Sequence, residues 1–291
     1  MMVIAENINV INKKLAAAMK ERKKEPIQHL AKLCAKNQVD YLDLNIGPAK
    51  KDGPFLMEWI IKTVREVTDL PLSLDTTNIE AIKVGLEMEG EKAMINSVQA
   101  TPERMEILFP LIQQYHCRFI ALLLGKGGMP RDATERGSLA AEFAAAIDQA
   151  GLPHENVFFD PIVLPVAFQQ DQVVATLEFM KMLSEMLPDF ESTCGLSNVS
   201  NGVPEELRPL VNRTYLALLL LSGLESAIAD GLDNQLIDLA RGKREDIMEL
   251  IKSFVEKKTD MGTLSPEQQQ IAKTAAILTG QSIYSHSWLK L

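Results

Sequence analysis

Seven short apolar runs in this chain end alike, in an asparagine or an aspartate: Val3 to Asn7, Tyr41 to Asn45, Leu72 to Asp75, Ala93 to Asn96, Val157 to Asp160, Gly195 to Asn198 and Ala227 to Asp230. An eighth run, Phe119–Leu124, has strand length without the polar ending. Between them lie stretches of helical length and periodicity. Strands that alternate with helices imply βαβ units and a parallel sheet, and eight such units in roughly 230 residues suit a closed barrel better than an open sheet. The expected fold is a single-domain α/β TIM barrel with eight strands. In such a barrel the carboxyl ends of the strands converge on one face. Here that face would carry carboxylates and primary amides in place of Lys, Arg or His, a lining suited to a neutral ring rich in hydrogen-bond donors.

The segments between the runs fill in the helices. After the first run, Leu15, Met19, Ile27, Leu30 and Leu33 are candidate core positions, and Glu25-Pro26 marks a fresh helical start because proline is tolerated in a first turn. Leu56, Trp59, Ile60 and Val64 give the next helix an apolar face. Thr77 or Asn78 can cap the one after, and Thr101-Pro102 opens another, with Pro110 placed to kink it. Helices are expected to about Ala150, over Asp171–Leu187 and over Glu205–Leu221. From Gln235 onward the pattern is purely helical, with a break at Asp260–Gly262 and a capped start at Ser265-Pro-Glu. These C-terminal helices exceed what an eighth βα unit needs.

Composition narrows the function. With 46% hydrophobic and 24% charged residues in 291, the chain can bury a large core. A formal charge of −9 disfavours a general grip on phosphate backbones, so nucleic acid is a poor partner. Cys34, Cys117 and Cys194 stand singly, which argues against a disulfide framework and fits a reducing compartment. The N-terminus does not read as a signal peptide, and the longest apolar run, Leu216–Leu221, is far short of the roughly 20 residues that span a bilayer. A cytoplasmic protein without a membrane partner is expected.

Metal chemistry finds little support. Cys117 and Cys194 are expected at strand beginnings, away from the carboxyl-end face, and His29, His116, His154 and His286 make no ligand pattern. Gly125-Lys-Gly-Gly lacks the spacing of a phosphate-binding loop and reads as a barrel loop.

Seven segments in order carry a resemblance: Ala-Glu-Asn-Ile-Asn (5–9), Leu-Asp-Leu-Asn-Ile-Gly-Pro (42–48), Leu-Asp-Thr-Thr-Asn (74–78), Met-Ile-Asn-Ser (94–97), Phe-Asp-Pro (159–161), Gly-Leu-Ser-Asn-Val-Ser (195–200) and Asn-Arg-Thr-Tyr-Leu-Ala (212–217). The chain resembles the pterin-binding-domain methyltransferases. Within them it is similar to the methyltetrahydrofolate–corrinoid protein methyltransferases of acetogens and their relatives in methylamine, betaine and methyl-ether demethylation. The likeness covers roughly residues 1–240 and resumes near Ile271–Trp288, so Arg241–Ser265 looks inserted, as packing on the barrel wall or at a subunit contact. It implies a homodimeric TIM barrel that holds tetrahydrofolate or 5-methyltetrahydrofolate as substrate, with a corrinoid carried by a partner protein that docks over the site. Residue by residue it implies pterin contacts from Asp75, Asn96 and Asp160, with Asn198 next to the folate N5. Glu6 lies in Ala-Glu-Asn where relatives often have Gly-Glu-Arg.

Independently of the resemblance, a carboxylate can accept two parallel N–H bonds from a pyrimidine edge, which suits Asp75 and Asp160, and the amide of Asn96 can both donate and accept. Glu6, Asp43, Asn45, Ser197 and Arg208 are further candidates; Arg208 and Arg213 could meet a benzoyl-glutamate tail, but a salt-bridged or solvated role is the favoured expectation for each. No His, Lys or Glu is evident beside Asn198, so that amide is expected to follow the charge on N5 by rotation. The favoured activity is methyl transfer between a corrinoid cobalt and N5 of tetrahydrofolate. The alternatives are a dihydropteroate synthase-like enzyme, which needs a basic anchor that Ala227-Ile-Ala-Asp230 does not supply, and a non-catalytic folate-binding subunit.

Overall fold

A computed structural model describes residues 1–290. The chain runs β1 (Met2–Asn9), α1 (Lys13–Lys20), α2 (Lys24–Lys36), β2 (Tyr41–Asn45), α3 (Gly53–Arg65), β3 (Leu72–Asp75), α4 (Ile79–Glu89), β4 (Ala93–Ala100) and α5 (Pro102–Tyr115). It continues with β5 (Arg118–Gly125), α6 (Ala133–Ala150), β6 (Val157–Asp160), α7 (Gln170–Met186), β7 (Glu191–Ser192), α8 (Arg208–Leu221) and β8 (Ser226–Ala229). Helices α9 (Asn234–Ala240), α10 (Glu245–Val255) and α11 (Pro266–Leu278) follow.

All eight strands pair in parallel, in the order β7-β6-β5-β4-β3-β2-β1-β8. A parallel bridge between Gly195 and Ile228 links the two edges, and the Ile228 N–H donates to Cys194 O at 2.8 Å. The expected TIM barrel is therefore present, nearly closed. Its helices use the local signals read above. Glu25-Pro26 lies in the first turn of α2, Asn78 caps α4 by accepting Ala81 N–H at 3.1 Å, and Ser265 forms a capping box with Gln268 at the start of α11.

β1 and β4 run past their expected ends, to Asn9 and Ala100, and the seventh strand is displaced. The seventh strand is Glu191–Ser192, and Gly195–Asn198 is not a strand; Leu196–Ser200 forms a 3-10 helix instead. Thr193 N–H still donates to Phe159 O at 3.0 Å, after which the chain turns and Asn198 N–H donates back to Gly195 O at 3.3 Å.

Strand alternation sorts side chains to the two surfaces of the barrel. One set joins the large core between strands and helices. The other faces the barrel axis, where Ile4, Tyr41, Met94, Ile120, Phe158 and Ile228 form a separate apolar plug. Two residues further along five of these six strands, the same alternation brings Glu6, Asp43, Asn96, Asp160 and Asp230. The sixth, β5, brings Leu122. The inner surface thus changes from apolar to acidic in one period of the strand, and the plug closes the barrel beneath a polar floor. Away from that face, α10 packs on α8 and α11 through Ile247, Leu250 and Ile251.

Candidate functional site

Strand register sets the first part of the polar layer. Asn45 pairs with Asp75 and Asp75 with Asn96, so three of the expected site residues lie side by side, at the ends of β2 and β3 and midway along β4. Below them Asp43 is 1% exposed, and its Oδ1 accepts from Ser73 Oγ at 2.6 Å and from Asn96 Nδ2 at 3.1 Å. Asp75 accepts from the Asn45 amide. Asp43 and Asp75 also hydrogen-bond to each other, which requires a proton between two carboxyl groups. Burial raises both, Asp75 well above the carboxylate range because the charge of Asp43 adds to it. The pair therefore favours one proton over two charges, and Asp75 is the more strongly raised of the two.

Asp160, on the other side of the barrel, differs. It is 6% exposed, and burial pushes its carboxyl up to about 6. Backbone N–H groups of Ile162, at 2.8 Å, and Gly195 favour the charged form, as does the guanidinium of Arg136. Near pH 7 Asp160 is mainly ionised and suited to accept ring N–H donors. Asn96 keeps its carbonyl oxygen for a ligand, since its amide nitrogen is used on Asp43.

Beside these groups, over β1, β7 and β8, opens a cavity of about 690 Å³. Its lining includes Glu6, Asn198, Arg208, Asn212 and Asp230. Asn198 is exposed on the 3-10 helix, and its oxygen has only a long 3.5 Å contact from Asn201 Nδ2. Ser197 Oγ donates to Glu6 Oε1 at 2.5 Å, so a glutamate does stand beside Asn198, contrary to the sequence expectation. It was missed because β1 and the 195–200 segment are distant in sequence and meet only when the barrel closes. Burial, with the charges of Asp230 and Asp43, raises Glu6 to about 7 against the opposing Ser197 bond.

The structure also separates the two arginines. Arg208 is half-buried in the cavity wall, donating to Ser200 Oγ at 3.1 Å and Asn201 Oδ1 at 3.3 Å. Arg213 is committed to Asp233 through Nε at 2.8 Å and Nη2 at 2.7 Å, and is not free to meet a ligand. Cys194 lies at the carboxyl end of β7, not at a strand beginning. It is fully buried, and burial, then the charges of Asp160 and Glu6, raises its thiol, which makes it a poor nucleophile. Among the described residues no group of three or more His, Cys, Asp and Glu is placed to hold a metal ion.

Three participants escaped the sequence reading. Asp230 was visible as a run-ending acid but given no role; it accepts from Asn7 Nδ2 at 2.7 Å on the cavity wall. Asn212, in the Asn-Arg-Thr-Tyr motif, is 8% exposed and its Oδ1 is buried without a hydrogen-bond partner among the described residues. Arg136, fully buried on α6, has little local signal, since two of its three partners, Pro161 and Gln172, lie outside its own helix.

Comparison with known proteins agrees with this geometry. The sequence profile of the family described as pterin binding enzyme matches residues 8–233. A methylcorrinoid:tetrahydrofolate methyltransferase of Eubacterium limosum is 24% identical over 232 residues, covering 79% of this chain and 85% of that enzyme. A methionine synthase of Mycobacterium tuberculosis is 23% identical over 95% of this chain, which spans only 25% of the length of that protein. Among solved structures, dihydropteroate synthase of Xanthomonas albilineans superposes with a TM-score of 0.62 at 18% identity, over 84% of this chain and 93% of that one. The enzyme from Thermus thermophilus gives 0.59 at 18%, over 84% and 94%. At such identities these structures speak to the fold alone.

Proposed function

Because the chain belongs to the pterin binding enzyme family, we propose that it transfers a methyl group between the cobalt of a corrinoid protein and N5 of tetrahydrofolate. The observation that carries this reading is a buried, backbone-braced Asp160 in the polar layer, with a cavity on the same face of the barrel lined by Asn198 and Glu6. A pterin laid across the polar layer would give its pyrimidine donors to Asp160, meet the Asn96 carbonyl and the acid Asp75, and turn N5 toward Asn198. The open cavity beside Asn198 would admit the methyl donor, carried by a corrinoid protein on that face. A homodimer of barrels, in the cytoplasm, with Arg241–Ser265 as an insertion on the wall, completes the proposal.

The chemistry is consistent with these groups. When N5 attacks the methyl carbon, its lone pair forms the new bond, the cobalt–carbon bond breaks, and the electron pair remains on cobalt. N5, now positive, must lose its proton. The Asn198 amide oxygen can face the protonated nitrogen and its N–H₂ the neutral one. Glu6, held near neutrality and joined to the same turn through Ser197, is able to take the proton on.

A second reading, condensation of a pterin pyrophosphate, follows from the fold likeness. It asks for cations where a pyrophosphate departs. The cavity wall holds Glu6, Glu205, Asp230 and Asp233 against one arginine, itself tied to Ser200 and Asn201. Anaerobic assay with methylcobalamin and tetrahydrofolate, in parallel with a pterin pyrophosphate and p-aminobenzoate, decides. Methyl transfer is expected in the first mixture. Condensation in the second would overturn the assignment, and folate binding without turnover in either would leave a non-catalytic subunit.

A further inference from the structure

Arg136 is among the largest fully buried side chains in the protein, yet it makes no ion pair among the described residues. Its guanidinium donates through Nε to Pro161 O at 2.9 Å, through Nη1 to Asp132 O at 3.2 Å and through Nη2 to Gln172 Oε1 at 2.9 Å. All three acceptors are neutral. A charge buried this way is costly, and an apolar side chain of similar volume would fill the space with less penalty. Packing alone does not account for an arginine here.

The first of those bonds shows what the charge does. Pro161 O belongs to the Pro161–Ile162 peptide, and the N–H of that same peptide donates to Asp160 Oδ1 at 2.8 Å. One peptide unit is held at its oxygen by a cation and delivers its hydrogen to a carboxylate. Ile162, which completes the unit, sits at φ +65°, a conformation that a β-branched residue adopts only when its surroundings enforce it. The clamp spans three elements, since Arg136 is on α6, Asp160 ends β6 and Gln172 lies in the first turn of α7. Gln172 is itself oriented by its amide nitrogen, which donates to Arg131 O at 2.6 Å.

We propose that Arg136 is a positioning residue for ring recognition at Asp160: it holds the Pro161–Ile162 peptide, and that peptide fixes the carboxylate's aim and its charge. This rests on the reading of Asp160 as the acceptor for the pterin ring. The titratable and charged neighbours are few. Arg136 faces Asp132 and Tyr215, while Asp160 faces Arg136 and the buried Cys194, with Glu6 beyond that thiol. Arg136 is the one cation in the set. A neutral residue in its place removes the through-peptide polarisation and leaves Asp160 to burial, so the carboxyl takes up a proton at higher pH and loses its ability to accept two ring donors.

The test is the pH profile of tetrahydrofolate binding, by anaerobic calorimetry between pH 5.5 and 8.5, for the parent, Arg136→Met and Arg136→Lys. Arg136→Met is expected to weaken binding about eightfold at pH 5.5 and about twofold at pH 7, as a carboxyl raised from about 6 by about one unit would, and to match the parent at pH 8.5. Arg136→Lys, which keeps the charge, should fall between them. Weakening by the same factor at every pH, or superposable profiles, overturns the proposal, because a merely structural arginine would act so. If Arg136→Met does not fold, ¹³C titration of the Asp160 carboxyl in the parent and Arg136→Lys decides. A midpoint higher in Arg136→Lys is expected, and an unchanged one overturns it. That titration needs no ligand, so it still judges the clamp should the parent bind no tetrahydrofolate, an outcome that would instead overturn the pterin reading.

Discussion

Asp75 and Asp160 look alike in sequence and are opposite in the folded chain. Each closes a four-residue apolar strand, and burial raises each. Asp75 has a second carboxyl group, Asp43, against it, and burial together with that neighbour favours its protonated form. Asp160 has two backbone N–H donors and a guanidinium one peptide away, so its charge persists. A strand can place a carboxyl group at the mouth of a barrel, but whether that group is an acid or an anion is decided by elements the strand does not contain. In one site this yields a neutral donor and a charged acceptor, which a ring bearing both kinds of edge can use.

The largest expected effect is at the charged corner. Tetrahydrofolate at a hundredfold excess over its dissociation constant should stabilise the parent by about 2.7 kcal/mol. Asp160→Ala should abolish most of that melting shift, because it removes the acceptor and leaves the Ile162 and Gly195 N–H groups without their partner. A mutant that keeps the parent's shift would show that the ring lies elsewhere.

Next comes the turn that the charged corner organises. Gly195 N–H is spent on Asp160, and the 3-10 helix that begins there carries Asn198. A contact that strengthens in the transition state typically contributes about 3 kcal/mol. Asn198→Ala should therefore slow single-turnover transfer from methylcobalamin by roughly a hundredfold at saturating folate, more than it weakens folate binding. A rate within about threefold of the parent would exclude the role.

These two residues also mark where the sequence was legible. The apolar runs announced the barrel because burial on two faces demands them, and the acids and amides that close them marked its carboxyl-end face. The end of β7 was not legible, since a short apolar run reads alike whether it continues the strand or turns into a 3-10 helix. Glu6 beside Asn198 could not be foreseen, because Ser197 and Glu6 are brought together by closure. Nor could Arg136, which reads in sequence as one more charged residue of an alanine-rich helix.

The third effect is a pH dependence with a definite sign. Glu6 is raised from 4.5 to about 7, mainly by burial. The folded state then holds a proton that the unfolded state has released, so stability falls as pH rises through that window. Glu6→Gln removes the cost of charging, and its melting temperature relative to the parent should rise by a few degrees more at pH 8 than at pH 5. Equal differences at the two pH values would mean that Glu6 ionises freely in the fold, and would withdraw it as the group that takes the N5 proton.

The smallest effect tests the neutral corner, and it is the sharpest check on the contrast. If Asp75 is an acid that accepts from Asn45 through one oxygen and shares a proton with Asp43 through the other, asparagine reproduces its pattern: an oxygen toward Asn45 and an N–H₂ toward Asp43. Asp75→Asn should then melt within about two degrees of the parent near pH 7 and bind tetrahydrofolate within about tenfold. Asp75→Ala, by contrast, leaves the Asp43 charge buried with one donor fewer and should destabilise the fold by roughly 1–3 kcal/mol. The pair of substitutions separates hydrogen bonding from charge. Were Asp75→Asn to lose folate binding as fully as Asp160→Ala does, Asp75 would be acting as an anion in the complex, with the proton displaced onto Asp43 or released when the ring binds. Proton release measured across buffers of different ionisation enthalpy would distinguish those two, and either result would make the two corners alike in the liganded state while leaving them different in the free one.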